Sequence, residues 1–446
     1  MKMVKSLLLG SAAGLVAVAG AHAADLPVKA KAVEYVKVCA AYGAGYFYIP
    51  GTDTCLKIGG YARFDTYFNA TGTFNPMITG GTYTDRTSDV IMRARGVFDM
   101  DARTQTEYGT LRSYVRFGIN STTDTTANAT GNGESQGIYF ERAFIQFAGL
   151  TAGYTSSFFD SGMNFMYTTP YTKSDKWTNL IGYTAEFGNG FSATIALEDN
   201  ASRSTYGGYW TAPAPDDAAG GTQIPDIVGN LRLSQAWGTA QLSAAAHQMR
   251  VALGGIDMYE SSNDQWGWAI QGVLEFKLPM LAAGDSIFFT AAYADGALNY
   301  VGLSGSSTGT SQALGRVNGY GTGDALYRLA DAVSDAFGSY STSTAWSVSG
   351  QFRHFWTPGL RSAVYAGYAS VDAPDSAFAT ANGYLDVDVW QVGANTIWSP
   401  VKNLDIGAEV LYSKIDGSLP YNTAAAPGYG GSTDLWSGGV RVQRNF

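Results

Sequence analysis

Two stretches decide the fold: Phe191-Ser192-Ala193-Thr194-Ile195-Ala196-Leu197-Glu198, and Leu404-Asp405-Ile406-Gly407-Ala408-Glu409-Val410-Leu411-Tyr412. Apolar residues take every second position, Phe191, Ala193, Ile195 and Leu197 in the first and Leu404, Ile406, Ala408, Val410 and Tyr412 in the second. Side chains on a β-strand point alternately to opposite faces, so each stretch has one greasy face and one wet face. Sixteen stretches of this kind are read between Leu56 and the terminal Phe446.

The alternation predicts strands at 56–68, 87–103, 109–119, 136–148, 150–158, 178–187, 191–199, 226–236, 239–250, 264–277, 284–295, 343–356, 360–370, 384–398, 403–415 and 434–446. Short connections such as Gly188-Asn189-Gly190, Trp237-Gly238 and Ser399-Pro400-Val401-Lys402 carry the residues that close tight hairpins. They alternate with long connections, the longest at 296–342. A β-sandwich would not need so many strands or one systematically long set of loops. The pattern is that of an all-β protein, a 16-stranded antiparallel transmembrane β-barrel with short periplasmic turns and long extracellular loops. Aromatics collect at strand ends, among them Tyr183, Phe187, Phe191, Trp266, Phe276, Trp356, Trp398, Tyr412 and Trp436, as interfacial girdles require. Within the longest loop, Leu326, Leu329, Ala330, Val333 and Phe337 stand at helical spacing and predict a short amphipathic helix over 324–337.

Residues 1–23 read as a secretory leader: Lys2 and Lys5, an apolar core from Leu7 to Ala19, and a cleavage site at Ala21-His22-Ala23. No later segment offers the roughly 18 uninterrupted apolar residues of a spanning helix, so a membrane span must be β. Without the leader, 26 basic residues face 37 acidic ones, a net charge of −11. That balance argues against nucleic acid as a partner and fits solvated outer loops.

The two cysteines, Cys39 and Cys55, lie in a periplasmic N-terminal segment, 24–55, where an oxidising compartment permits a disulfide. A zinc site is the weaker alternative, because no histidine neighbours either thiol. Arginines crowd the first strands: Arg63, Arg93, Arg95, Arg112, Arg116 and Arg142. Arg93 and Arg95 share a face with Asp99 and Asp101, while Met92, Ala94, Phe98 and Met100 take the other. A guanidinium on the lipid face would cost roughly 2–4 kcal/mol near the midplane, so the row is expected to line a lumen. His247 and His354 have no serine motif beside them that would signal a hydrolase, and nothing in the sequence calls for a metal or other cofactor. Asp386 and Asp388 share a strand face and read as wet-face residues in preference to a calcium site.

The stretch from Val38 to Leu56, with Cys39, Tyr42-Gly43, Tyr46-Phe47-Tyr48-Ile49-Pro50-Gly51 and Cys55, resembles the N-terminal signature of the alphaproteobacterial porin family. The similarity continues through Gly60-Tyr61-Ala62-Arg63-Phe64, Glu141 to Gly149 and the closing Val440 to Phe446, so it covers essentially the mature chain. The resemblance implies a homotrimeric general porin of the Gram-negative outer membrane, surrounded by lipid and passing small hydrophilic solutes. It also implies that Phe446 is read by the outer-membrane assembly machinery. The third long loop would fold inside the barrel and bring Asp160 and Asp175 opposite the arginine row, where opposed charges set a transverse field. Local pairing of those carboxylates with Lys173 and Lys176 is the alternative. Two rivals share the architecture: a channel selective for one nutrient, and a closed-barrel adhesin or receptor.

Overall fold

Greasy and wet faces are both satisfied when the sheet closes on itself. The computed structural model of the chain describes residues 37–71, 75–76, 81–83, 88–123, 134–205, 222–249, 265–303, 312–318, 326–334, 340–375, 379–380, 384–417 and 431–446. The leader expected over 1–23 lies outside the described residues.

The wall is built from β1 (Cys55–Phe68), β2 (Val90–Thr106), β3 (Gly109–Thr123), β4 (Glu134–Phe147), β5 (Leu150–Ser156), β6 (Trp177–Gly188), β7 (Phe191–Glu198) and β8 (Asp226–Gln235). It continues with β9 (Gly238–Met249), β10 (Gln265–Lys277), β11 (Ser286–Asp295), β12 (Thr344–Thr357), β13 (Leu360–Asp372), β14 (Val387–Val401), β15 (Leu404–Gly417) and β16 (Ser432–Asn445). Every neighbour is antiparallel, and β1 pairs with β2 on one edge and with β16 on the other, from Tyr61↔Asn445 to Phe68↔Gly438. The sheet is therefore a closed barrel with no free wall edge.

Alternation sorts the side chains. Phe64, Phe98, Ile119, Ile195, Leu242, Phe289, Val364 and Val442 are exposed on the outer face, where hydrocarbon would cover them. Tyr183, Phe187, Trp266, Phe276, Trp356, Trp398 and Trp436 are outward and exposed near strand ends, as girdle residues should be. Asn189 and Asn403, both with positive φ, turn the short hairpins after β6 and β14.

Cys39 and Cys55 form a disulfide. With buried Tyr46 it makes a small core beneath β1, and Phe47–Tyr48 pairs with Leu56 and Cys55. The segment therefore extends the sheet beside the start of β1. At the other terminus, Gly60 and Phe446 exchange backbone hydrogen bonds of 3.3 and 3.1 Å. A Cβ on Gly60 would come within 2.1 Å of the Val97 carbonyl and 2.9 Å of the Phe446 ring, so only glycine lets the terminal aromatic seat there.

The helix expected over 324–337 is not formed. Leu326–Leu329 is a strand paired with Gln312–Gly315, and Ala332–Ser334 pairs with Tyr340–Thr342. Leu329 and Val333 are buried in these strands, and Gln312–Gly315 and Tyr340–Thr342 supply the backbone partners of the extended form. Residues 335–337 of that expected helix lie outside the described residues.

Candidate functional site

The inner face of the barrel falls into two unlike halves. Along β16 and β1–β4, arginines and carboxylates interleave. Asp65 takes Arg93 Nη2 and Arg441 Nε at 2.7 Å each, joining β1 to the strands on both sides of it. Asp101 takes Arg103 and Arg112 at 2.8 and 2.9 Å. Glu141 lies between Arg116 at 3.2 Å and Arg142 at 3.9 Å. Arg63 and Arg95 complete the row. Arg63, Arg93, Arg95, Arg112, Arg116 and Arg142 share this face of the sheet.

Arg142 reaches that face through a β-bulge. The pairing of β3 with β4 runs Arg116↔Arg142 and then Phe117↔Phe140, leaving Glu141 as the extra residue. A bulge re-aims the side chain at the inserted position, and the buried Glu141 carboxylate is thereby set among guanidinium groups that parity alone would have kept it from. Tyrosines hold several of the arginines flat: Arg95 lies 3.8 Å from the centre of the Tyr139 ring, Arg63 4.4 Å from Tyr61, and Arg112 5.2 Å from Tyr114.

Along β8–β15 the wet face instead groups the amides Gln351, Gln391 and Asn395 with Glu409, and it holds the third long loop, residues 157–176. The loop's own backbone polar groups, taken inside the barrel, need partners there. Gln351 accepts from Phe165 N at 2.6 Å and Asn395 donates to Phe165 O at 2.8 Å. Glu409 accepts from Tyr167 N and Thr168 N at 2.5 and 2.8 Å, and Gln391 from Tyr171 N at 2.8 Å. Thr172 and Tyr365 share a further hydrogen bond. The loop starts from β5 and β6, crosses the interior, and stacks the Tyr167 ring 4.3 Å from the Arg441 guanidinium. It thus meets the edge of the arginine wall.

Exposure separates the halves. Gln391, Gln351 and Asn395 are 4% exposed or less, whereas Arg112, Arg116 and Arg142 side chains keep 27%, 25% and 33%. Above the anchors, Ala245, Ala269, Ala294, Ala345 and Ala369 leave room for Leu298, Tyr300, Val301 and Phe159, which form a packed core with them. Described loops therefore pack against the β8–β15 side, while on the arginine wall Arg112, Arg116 and Arg142 stay partly open and Arg93 and Arg95 are buried.

Asp160 is inside the barrel but does not face the arginine row. Its carboxylate accepts from Lys176 N at 2.7 Å and from Arg203 at 3.2 Å, with Arg203 also donating to Ser174 at 2.6 Å. The buried guanidinium of Arg203, arriving from the next outer loop, outcompetes a distant row of partly hydrated ones. Burial at the same place pushes the Lys176 ammonium down to about 8. Asp175 is partly buried, with Thr169 Oγ1 at 3.5 Å.

A second buried cluster pins the outer loops. His247 Nδ1 meets Asp226 at 2.8 Å, Tyr300 donates to the other Asp226 oxygen at 2.5 Å, and Asp331 accepts from Leu298 N at 2.7 Å and Thr205 N at 2.5 Å. Burial pushes the Asp331 carboxyl up to about 6. Nothing in the sequence near His247 signals these partners, which come from the start of β8 and from the connection between β11 and β12. Among the described residues no group of histidine, cysteine and acidic side chains has the arrangement of a metal site.

Comparison with known proteins bears on what such an interior does. The family described as the porin subfamily matches residues 25–434. Porin Omp2b of Brucella abortus (strain 2308) and porin Omp2b of Brucella melitensis biotype 1 are each 30% identical over 455 residues, covering 99% of this chain and 99% of theirs. Among solved structures, the outer membrane channel DcaP of Acinetobacter baumannii is similar in fold, with a TM-score of 0.59 at 16% identity over 90% of this chain and 99% of that one.

Proposed function

The chain belongs to the porin subfamily, and from that premise we propose how its interior works as a channel. The protein is a general porin of the Gram-negative outer membrane, a water-filled barrel for passive diffusion of small hydrophilic solutes and ions. One observation carries the proposal in detail: the third loop crosses the closed barrel and is fastened to the far wall through Gln351, Gln391, Asn395 and Glu409, with Arg112, Arg116 and Arg142 partly open on the opposite wall. The narrowest passage then runs between the loop and the row Arg63, Arg93, Arg95, Arg112, Arg116 and Arg142. Asp175 belongs to the loop side of that passage, and Asp160 stiffens its base.

Assembly follows from the same surface logic. On the outer face, Ala62, Ala94, Gly96 and Gly137 floor a groove walled by Phe64, Ile119, Ile138 and Val442. Ser121 and Gln136 also line it, polar groups that hydrocarbon would penalise. This face, with the apolar fourth strand beside it, is where copies of the chain meet as a homotrimer while lipid covers the rest. Removal of residues 1–23 on export and reading of Phe446 by the assembly machinery complete the scheme.

Reconstitution tests it. Ohmic, weakly selective currents in planar bilayers, and swelling of liposomes by sugars up to a sharp size limit, are expected. Folded protein that admits no sugar and carries no current would overturn the proposal, and swelling by one sugar alone would favour a selective channel.

A further inference from the structure

One layer of the arginine wall lacks the acid that its neighbours have. Arg63 and Arg95 are direct cross-strand partners in the register of β1 and β2. Like charges set opposite each other in a sheet are destabilising. The layer toward the outside has Asp65 between Arg93 and Arg441, and the layers below have Glu141 and Asp101, each between two arginines. Neutral groups alone hold the exceptional pair. Arg63 Nε donates to Gln443 Oε1 at 2.8 Å, and Arg95 Nε donates to Asn120 Oδ1 at 2.5 Å. Their guanidinium planes rest on Tyr61 and Tyr139. Each contact fixes the plane through Nε or a ring face, and no protein group among the described residues takes the terminal nitrogens.

We propose that Arg63 and Arg95 form a binding station for small oxyanions, carboxylates and phosphates, part-way through the lumen. The inference rests on the channel reading and adds to it a solute class. A planar guanidinium offers paired N–H donors that match a carboxylate or phosphate edge. Two of them, held parallel to the wall by Gln443, Asn120 and the tyrosines, present that match without rearrangement. An anion arriving there supplies the counter-charge that the layer lacks. Binding must also be weak enough for departure.

The test is made on the reconstituted protein in potassium chloride. The reversal potential in a salt gradient should show anion preference, and millimolar sodium phosphate or sodium succinate should reversibly reduce the chloride current. In the Arg63→Gln/Arg95→Gln variant the block should weaken about tenfold at low ionic strength and the reversal potential should move toward cation preference. The Arg63→Lys/Arg95→Lys variant should keep the reversal potential yet lose much of the block, because it keeps charge and loses the fork. Arg232→Gln, the loss of one guanidinium charge on the opposite wall, should leave the block intact. Each variant is first checked for the compact, heat-modifiable migration of a folded barrel. Unblocked wild-type current, or block undiminished in the glutamine double variant, overturns the station while leaving the channel reading in place. Absence of any current strikes the channel reading itself.

Discussion

The two inner walls are both polar, yet they do different work with different chemistry. From β8 to β15 the inward residues that matter are amides and one carboxylate, each buried and each bonded to the backbone of the inward loop. From β16 through β4 they are guanidinium and carboxylate groups, bonded mainly to one another and partly in water. A neutral amide can enter a dry contact because its hydrogen bonds can all be satisfied there; a guanidinium stays cheap only while water or an acid attends it. The barrel thus anchors the loop with three amides and one carboxylate, and pairs guanidinium with acid along the other wall.

The largest expected effect breaks the charged wall at its most buried point. Asp65→Ala leaves Arg93 and Arg441 enclosed without their shared carboxylate, and should cost roughly 3–5 kcal/mol of barrel stability in a urea titration in detergent. A shift near zero would mean that water reaches this seam, and the two walls would then differ less than the geometry implies. Next comes the anchored wall. Glu409→Ala orphans the amides of Tyr167 and Thr168 and should destabilise the loop by roughly 2–3 kcal/mol. The readout is single-channel current, which should become larger and noisier; Glu409→Gln, which keeps one acceptor oxygen, should do so less. An unchanged current would show that the other anchors suffice.

A smaller effect concerns acidity. Because the folded Asp331 carboxyl sits at about 6, above its ordinary value, its contribution to stability is fully present at low pH and is lost as pH rises through 6. Hydrogen exchange at Thr205 and Leu298, corrected for intrinsic rates, should therefore accelerate about tenfold between pH 5 and 7, and Asp331→Asn should flatten the profile. Smallest of all is Arg103→Gln. Asp101 retains Arg112, the lost pair is partly exposed, and the stability change should stay below about 1 kcal/mol. A larger loss would extend the dry character of the Asp65 seam down to the periplasmic end.

The strands were legible because a period of two is imposed on every one by the same pair of surroundings, lipid and lumen. The boundaries read from alternation lie within four residues of those in the structure. The inward arginines were legible for the same reason. Glu141 was not, since a bulge is set by the partner strand's register and leaves only a slip in alternation at Phe140-Glu141-Arg142. The anchors were not legible either: Gln351, Gln391 and Asn395 look like any wet-face amide until a loop from two hundred residues away is placed against them. The helix read over 324–337 failed because a short apolar spacing fits a turn between two small strands as well as it fits a helix.

The seam at Asp65 also bears on biogenesis. β1 is synthesised first and its second neighbour last, with Arg63 and Gln443 separated by 380 positions. Throughout export one flank of that strand remains an open template, the kind of edge on which β-proteins aggregate. Charged Arg63 and Asp65 on that edge disfavour pairing with foreign strands, and Gly60 leaves the room that Phe446 occupies once the ring is closed.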